Sequence, residues 1–166
     1  QMNFLDSHDV PRFLSQCKGN RARMKLGFFY LIMGYGVPSV FYGDECYIEG
    51  IEEPDYRQKM PWLKEDNAYE LFKEWIAIRN RHSAVRNGDY VTLLTRDTEG
   101  IYAFARVNDE DEVIVVINNS GEDYVFDSDD LDEICRRFET WSGKGYGFDM
   151  PECIDGYGYI VIERFY

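Results

Sequence analysis

The stretch NFLDSHDVPRFL, residues 3–14, places a histidine and an aspartate side by side directly after a short apolar run. If that run is a parallel strand, His8 and Asp9 lie at its carboxyl end, where ligands bind in α/β proteins. A polar turn, with His8 bonded to a nearby carboxylate or carbonyl group, would give the same pattern and is the more frequent reason for it. The run begins at Gln1 with no methionine ahead of it, so we expect the chain to be the tail of a longer protein.

A second apolar run lies downstream and favours a functional interpretation of the first. Between the two runs, apolar side chains recur at intervals of three and four residues and predict a helix over 20–36. The stretch VPSVFYGDE, residues 37–45, is then typical of a buried parallel strand that ends in Asp44 and Glu45. Two neighbouring parallel strands that both end in acidic side chains would bring those side chains to one edge of a sheet.

The pattern of the chain changes near residue 83. A polar loop over 46–65 leads into a helix predicted over 67–83, with Asn67 as its N-cap. The remainder predicts short strands separated by turn-forming residues, at 89–95, 100–107, 112–118, 122–127 and 157–166. We therefore expect two domains, an α/β portion over 1–83 and an antiparallel all-β domain over 84–166.

The composition excludes several classes of partner. With a formal net charge of −13, the chain would repel nucleic acid and anionic membranes. No window approaches the run of roughly 18 apolar residues that a transmembrane helix needs. The cysteines are scattered and only two histidines are present, so we expect no zinc site, free thiols and a cytoplasmic location. These cysteines are Cys17, Cys46, Cys135 and Cys153.

Three motifs in order resemble one family. NFLDSHDVPRF (3–13) resembles the fourth signature region of the α-amylase superfamily, glycoside hydrolase family 13, which reads F/L-x-x-x-H-D. GVPSVFYGDE (36–45) is similar to the family's strand-eight stretch, G-x-P-x-x-Y-G-D-E. EPDYRQKMPW (53–62) resembles the D-P-x-x-R…M-P-W segment of the neopullulanase, cyclomaltodextrinase and maltogenic amylase branch.

The resemblance implies a fold and an activity. Residues 1–83 would be the last quarter of a (β/α)8 TIM barrel, comprising strands seven and eight with their helices. Residues 84–166 would be domain C, an antiparallel β-sandwich. The parent protein would be a retaining glycosidase whose substrates are α-glucans such as starch-derived oligosaccharides, pullulan or cyclodextrins.

The resemblance also implies roles for individual residues. His8 would match the histidine that hydrogen-bonds a sugar in the subsite before the cleaved bond. Asp9 would match the carboxylate that holds the 2- and 3-hydroxyls of that sugar and stabilises the transition state. Arg57 would bind the next sugar along the chain. Its partner four residues earlier is usually aspartate in the family and is Glu53 here, whose extra methylene shifts the carboxylate.

The two main catalytic groups of a retaining glycosidase, a nucleophile and an acid/base about 5–5.5 Å apart, are expected elsewhere. In the family both lie on earlier barrel strands, and Asp6, Asp44 and Glu45 match neither the family's nucleophile nor its acid/base. We therefore expect no hydrolysis by these residues alone. We also expect no cofactor and no metal site. The missing part of the barrel, or a second copy of the chain, is expected to cover the open strand edges.

Two interpretations without catalysis remain open at this point. In the first, the β-rich half is a carbohydrate-binding module that holds sugar on exposed aromatic side chains. The residues concerned are Trp141, Tyr146, Tyr157 and Tyr159. In the second, the same half shields a barrel and sets contacts between subunits.

Overall fold

The computed structural model describes residues 1–142 and 149–166, with side chains up to residue 139 in the first range. The chain divides into two compact units, Gln1–Arg81 and His82–Tyr166.

The first unit contains a parallel strand pair joined through helices. Strand β1 (Met2–Asn3) pairs in parallel with β2 (Val37–Pro38), with Met2 opposite Val37. The connection contains helices α1 (Phe13–Gln16) and α2 (Arg21–Met33). After β2 come the 3₁₀ helices Asp44–Cys46 and Asp55–Arg57, and then helix α3 (Tyr69–Arg81).

Both helices predicted for this unit are confirmed, with ends that side chains help to fix. The side chain of Asn20 accepts a hydrogen bond from the Arg23 amide at 3.0 Å, which caps α2. Asn67 Oδ1 accepts from the Tyr69 amide at 3.0 Å at the start of α3. Each asparagine satisfies an amide that has no partner within its own helix.

The strand predicted over 37–45 is wrong beyond Pro38, because the chain turns there. Asp44 Oδ2 accepts a hydrogen bond from the Phe41 amide at 3.1 Å, and Glu45 Oε2 accepts from the Gly43 amide at 2.9 Å. Gly43 has φ +89°, a conformation that favours glycine. The acidic side chains therefore close a turn by binding backbone amides, instead of following a strand.

The second unit is built on one antiparallel sheet. Its elements are α4 (Ser83–Asn87), β3 (Asp89–Arg96), β4 (Ile101–Val107), β5 (Asp111–Asn118), β6 (Tyr124–Val125), α5 (Ser128–Ser142), β7 (Cys153–Ile154) and β8 (Tyr159–Phe165). Four strands form a sheet in the order β3-β4-β5-β8, and β6 pairs with β7 in a separate two-stranded ladder. The antiparallel strands predicted in this half are confirmed.

The expected sandwich of two sheets is corrected in the described residues. The sheet core contains alternate side chains of β4 and β5, such as Ala103, Ala105 and Ile114, and these pack with Ile134 and Phe138 of α5. The layer facing the sheet thus consists of a helix and the short β6–β7 ladder. Helix α5 was absent from the sequence prediction.

Candidate functional site

Arg57 contacts the other three residues that the sequence singled out for sugar binding. Its Nε donates a hydrogen bond to the His8 carbonyl oxygen at 2.9 Å. Its Nη2 lies 3.3 Å from Asp9 Oδ1, and its Nη1 lies 2.8 Å from Glu53 Oε1. His8 Nε2 lies 3.1 Å from Asp9 Oδ2. We call His8, Asp9, Glu53 and Arg57 the Arg57 cluster.

A tight reversal of the chain presents His8 and Asp9 to solvent. Ser7 forms a bridge to Val10, and Ser7 Oγ accepts a hydrogen bond from the Asp9 amide at 3.2 Å. The side chains of His8 and Asp9, at the tip of the reversal, are each 66% exposed. Exposed ion pairs contribute at most about 1 kcal/mol each to stability, so the cluster adds little to the stability of the fold.

Glu53 reaches Arg57 despite the extra methylene relative to aspartate. The 2.8 Å contact spans one turn of chain, from residue i to i+4, across the start of the 3₁₀ helix Asp55–Arg57. The guanidinium is therefore held from two sides, by Glu53 and by Asp9, which fixes the plane of its donors.

Arg12, which the sequence analysis did not single out, links the chain segments next to the cluster. It is fully buried, and its Nε donates to the Tyr56 carbonyl at 2.9 Å. Its Nη1 donates to the Tyr42 carbonyl at 2.8 Å, and its guanidinium lies 4.1 Å from the centre of the Phe41 ring. One side chain thus ties the segment after His8–Asp9 to the turn at 41–44 and to the 3₁₀ helix that carries Arg57.

Two buried carboxyl groups lie beside Arg12. Asp6 and Asp44 are each 2% exposed. Burial is the main cause that raises the pKa of Asp44 to about 9, and the charge and hydrogen bond of Asp6 raise it further, while Arg12 opposes the shift. Burial also raises the pKa of Asp6. Both shifts favour a pair of carboxyl groups that is not fully ionised at neutral pH.

The hydrogen bonds of the pair show where a proton fits. Asp6 Oδ2 accepts from the Phe13 amide at 2.7 Å. Within the described residues, Asp6 Oδ1 is buried and meets no hydrogen-bond donor if both carboxyl groups are ionised. One proton shared between the two carboxyl groups would supply a donor, which agrees with the raised pKa of each group. Neither carboxyl can reach a glycosidic bond, because both are buried.

The aromatic residues named for the alternative binding module are only partly described. The side chain of Trp141, and Tyr146, lie outside the described residues. Tyr157 and Tyr159 are half-buried, and Tyr157 adopts φ +54°. In the described ranges, no three or more His, Cys, Asp or Glu side chains are grouped so that they could hold a metal ion. No helix within those ranges is both long and apolar enough to reach across a membrane.

Comparison with known proteins gives one family model and several relatives. Residues 97–143 match the model of the cyclo-malto-dextrinase C-terminal domain. Neopullulanase 2 of Thermoactinomyces vulgaris is 38% identical over 123 residues, which are 72% of this chain and 21% of that protein. A cyclomaltodextrinase of Bacillus sp. is 34% identical over 120 residues, which are 70% of this chain and 22% of that protein. The chain thus spans about a fifth of the length of these relatives.

A solved structure shows the same fold over nearly the whole chain. The cyclic α-maltosyl-(1→6)-maltose hydrolase of Arthrobacter globiformis, in complex with cyclic α-maltosyl-(1→6)-maltose, superposes with a TM-score of 0.77 at 23% identity. The match covers 98% of this chain and 35% of that chain. At this level of identity, the similarity concerns the fold.

Proposed function

Because the chain belongs to the α-amylase superfamily, as the C-terminal portion of a neopullulanase, cyclomaltodextrinase or maltogenic amylase-like protein, we propose that its Arg57 cluster holds α-glucan in the active site of a retaining glycoside hydrolase. The parent protein would cleave starch-derived oligosaccharides, pullulan or cyclodextrins. The observation that carries the proposal is the convergence of His8, Asp9 and Glu53 on one arginine.

Each residue of the cluster offers what a sugar ring requires. Asp9 is an exposed carboxylate with lone pairs for the 2- and 3-hydroxyls of the ring before the cleaved bond. Hydrogen bonds to the 2-hydroxyl strengthen as positive charge develops on that ring, so they stabilise the transition state more than the substrate. His8 would donate to the same ring, and Arg57 with Glu53 would bind the next one.

The chain by itself is proposed to bind sugar without cleaving it. A retaining mechanism needs a nucleophile and an acid/base about 5–5.5 Å apart on either side of the bond. Asp6 and Asp44 are buried, and the accessible Asp9 is paired with Arg57. The two catalytic carboxylates would come from earlier strands of a (β/α)8 barrel.

The parallel pair β1–β2 supports the proposal that these are strands seven and eight of such a barrel. A crossover through helices connects them, as in a βαβ unit. Met2, Phe4 and Val37 have exposed apolar side chains on or beside these strands. The remaining barrel strands would cover them in the parent protein.

The test measures the binding of a short ligand, maltotriose, to the 166-residue chain by saturation-transfer NMR. We expect weak, saturable binding that Asp9→Asn and Arg57→Ala both abolish. Arg21→Ala is the matched control, since Arg21 is similarly exposed and also paired with an aspartate, Asp66. Equal binding by wild type and the two cluster variants would refute the proposed role of the cluster. Release of reducing sugar by the chain alone would refute the proposal that it binds sugar without cleaving it.

A further inference from the structure

We propose that Trp62 and Tyr69 form a second α-glucan-binding surface, which extends the sugar chain beyond the Arg57 cluster. The two aromatic side chains line a cavity of about 510 Å³, and Trp62 is 83% exposed and Tyr69 54% exposed. A tryptophan with so exposed a side chain does not contribute to the core of its own unit. We call this cavity the Trp62 platform.

The platform combines flat apolar faces with polar groups of both kinds. The rings of Trp62 and Tyr69 offer large contact areas at a small cost in side-chain entropy. Glu45 is also in the lining, and its Oε2 accepts a hydrogen bond from the Gly43 amide at 2.9 Å. Its other carboxylate oxygen can accept from a ligand. Lys64 donates to the Cys46 carbonyl at 2.6 Å and carries further N–H donors.

These contacts hold the polar groups in position before a ligand arrives. Lys64 and Glu45 are both tied to backbone atoms, and Asn67 in the lining bonds to the Lys64 carbonyl at 2.7 Å and to the Tyr69 amide at 3.0 Å. A site whose side chains are already ordered loses less entropy on binding. The platform is therefore prepared for a ligand with hydroxyl groups around an apolar face.

The charges of the lining favour a neutral ligand. Glu45, Glu70 and Lys64 all line the cavity, and Glu70 is already paired with Lys73 at 2.9 Å. An anion would meet the two carboxylates, and a simple cation would compete with the lysine. A pyranose ring matches the remaining pattern, since its C–H face stacks on aromatic rings while its hydroxyls both donate and accept hydrogen bonds.

Shared lining residues lead from the platform toward the Arg57 cluster. A smaller cavity of about 280 Å³ shares Glu45 and Tyr69 with the platform and extends to Phe41. The ring of Phe41 lies 6.5 Å from that of His8. In the proposed arrangement, a glucan chain bound at His8 follows these residues to Trp62. The choice of α-glucan as the ligand rests on the proposed function of the cluster.

The experiment compares maltotriose with maltoheptaose, by titration calorimetry on the 166-residue chain. We expect maltoheptaose to bind about tenfold more tightly or better, the order of effect that a well-placed aromatic residue has in a binding surface. Trp62→Ala should reduce the affinity for maltoheptaose to about that for maltotriose. Leu63→Ala is the matched control, because Leu63 is the next residue, is 95% exposed and is not in the lining.

Each outcome separates the platform from the cluster. An advantage for maltoheptaose that persists in Trp62→Ala, or that is absent from the wild type, overturns the platform. Loss of the advantage in Trp62→Ala, together with unchanged binding of both sugars in Asp9→Asn, supports the platform and refutes the cluster. Circular dichroism spectra that match the wild type exclude unfolding as the reason for any loss.

Discussion

Arg12 and the carboxyl pair Asp6–Asp44 determine where the exposed residues of the site lie. Asp6 binds the Phe13 amide, Asp44 binds the Phe41 amide, and Arg12 spans the space between the two segments. His8 and Asp9 sit on the loop between Asp6 and Arg12, so both ends of that loop are fixed by buried groups. Their exposure to solvent and their orientation therefore depend on buried side chains.

At the residue scale, Asp44→Asn should change how stability depends on pH. The pKa of Asp44 is about 9 in the folded chain against an ordinary value of 3.8, so the folded chain binds more protons than the unfolded chain between these values. The free energy of unfolding then falls as pH rises, by up to about 1.4 kcal/mol per pH unit for one proton. Asparagine does not ionise, so the variant lacks this dependence.

The measurement is urea unfolding of wild type and Asp44→Asn at several values between pH 4 and pH 9. We expect the variant to gain stability relative to the wild type as pH rises. Asp66→Asn, at an exposed aspartate, should show no such trend. Parallel pH profiles for wild type and Asp44→Asn would contradict the shared proton.

The sequence could indicate which residues meet at the site but not their protonation. His8, Asp9 and Arg57 were identifiable because they stand in motifs with fixed spacing. The roles of Arg12 and Asp44 follow from burial and from partners about 30 positions away in the chain. A local pattern does not contain that information, because pKa shifts depend on tertiary surroundings.

At the scale of elements, helix α5 shows what the sequence analysis overlooked and why. Leu131, Ile134 and Phe138 recur at intervals of three and four, and acidic residues occupy the first turn, so the signal was present. The predicted strands on either side favoured an all-β interpretation. In contrast, β3, β4 and β5 follow their predicted ranges to within one residue, because β-branched runs between turn residues are a strong local signal.

The start of α5 provides a test at this scale. Asp127 Oδ1 accepts a hydrogen bond from the Asp130 amide at 2.9 Å, immediately before the helix begins at Ser128. Asp127→Ala should lower the free energy of unfolding by about 1 kcal/mol, since it removes an N-cap. Asp132→Ala, at an exposed position inside the same helix, should not. Equal urea midpoints for the two variants would show that Asp127 does not cap α5.

At the scale of the whole molecule, the two units differ in how completely they bury their strands. In the second unit, every residue of β5 is buried. In the first unit, β1 and β2 have two residues each, and Met2 and Val37 stay exposed. Short parallel strands with apolar side chains in water present both a pairing edge and a hydrophobic surface. In the isolated chain, we expect a second copy to cover this surface.

Sedimentation velocity on the isolated chain tests this consequence. We expect assemblies larger than the 19.6 kDa monomer, and Val37→Lys should shift them toward the monomer because a charge at the strand edge opposes pairing. Val125→Lys is the matched control: Val125 is also in a two-residue strand and is 71% exposed, against 60% for Val37, but it lies in the second unit. If both variants dissociate equally, the contact is not specific to β2. A wild-type chain that is monomeric at all concentrations would mean that the exposed apolar side chains of β1 and β2 are too few to drive association.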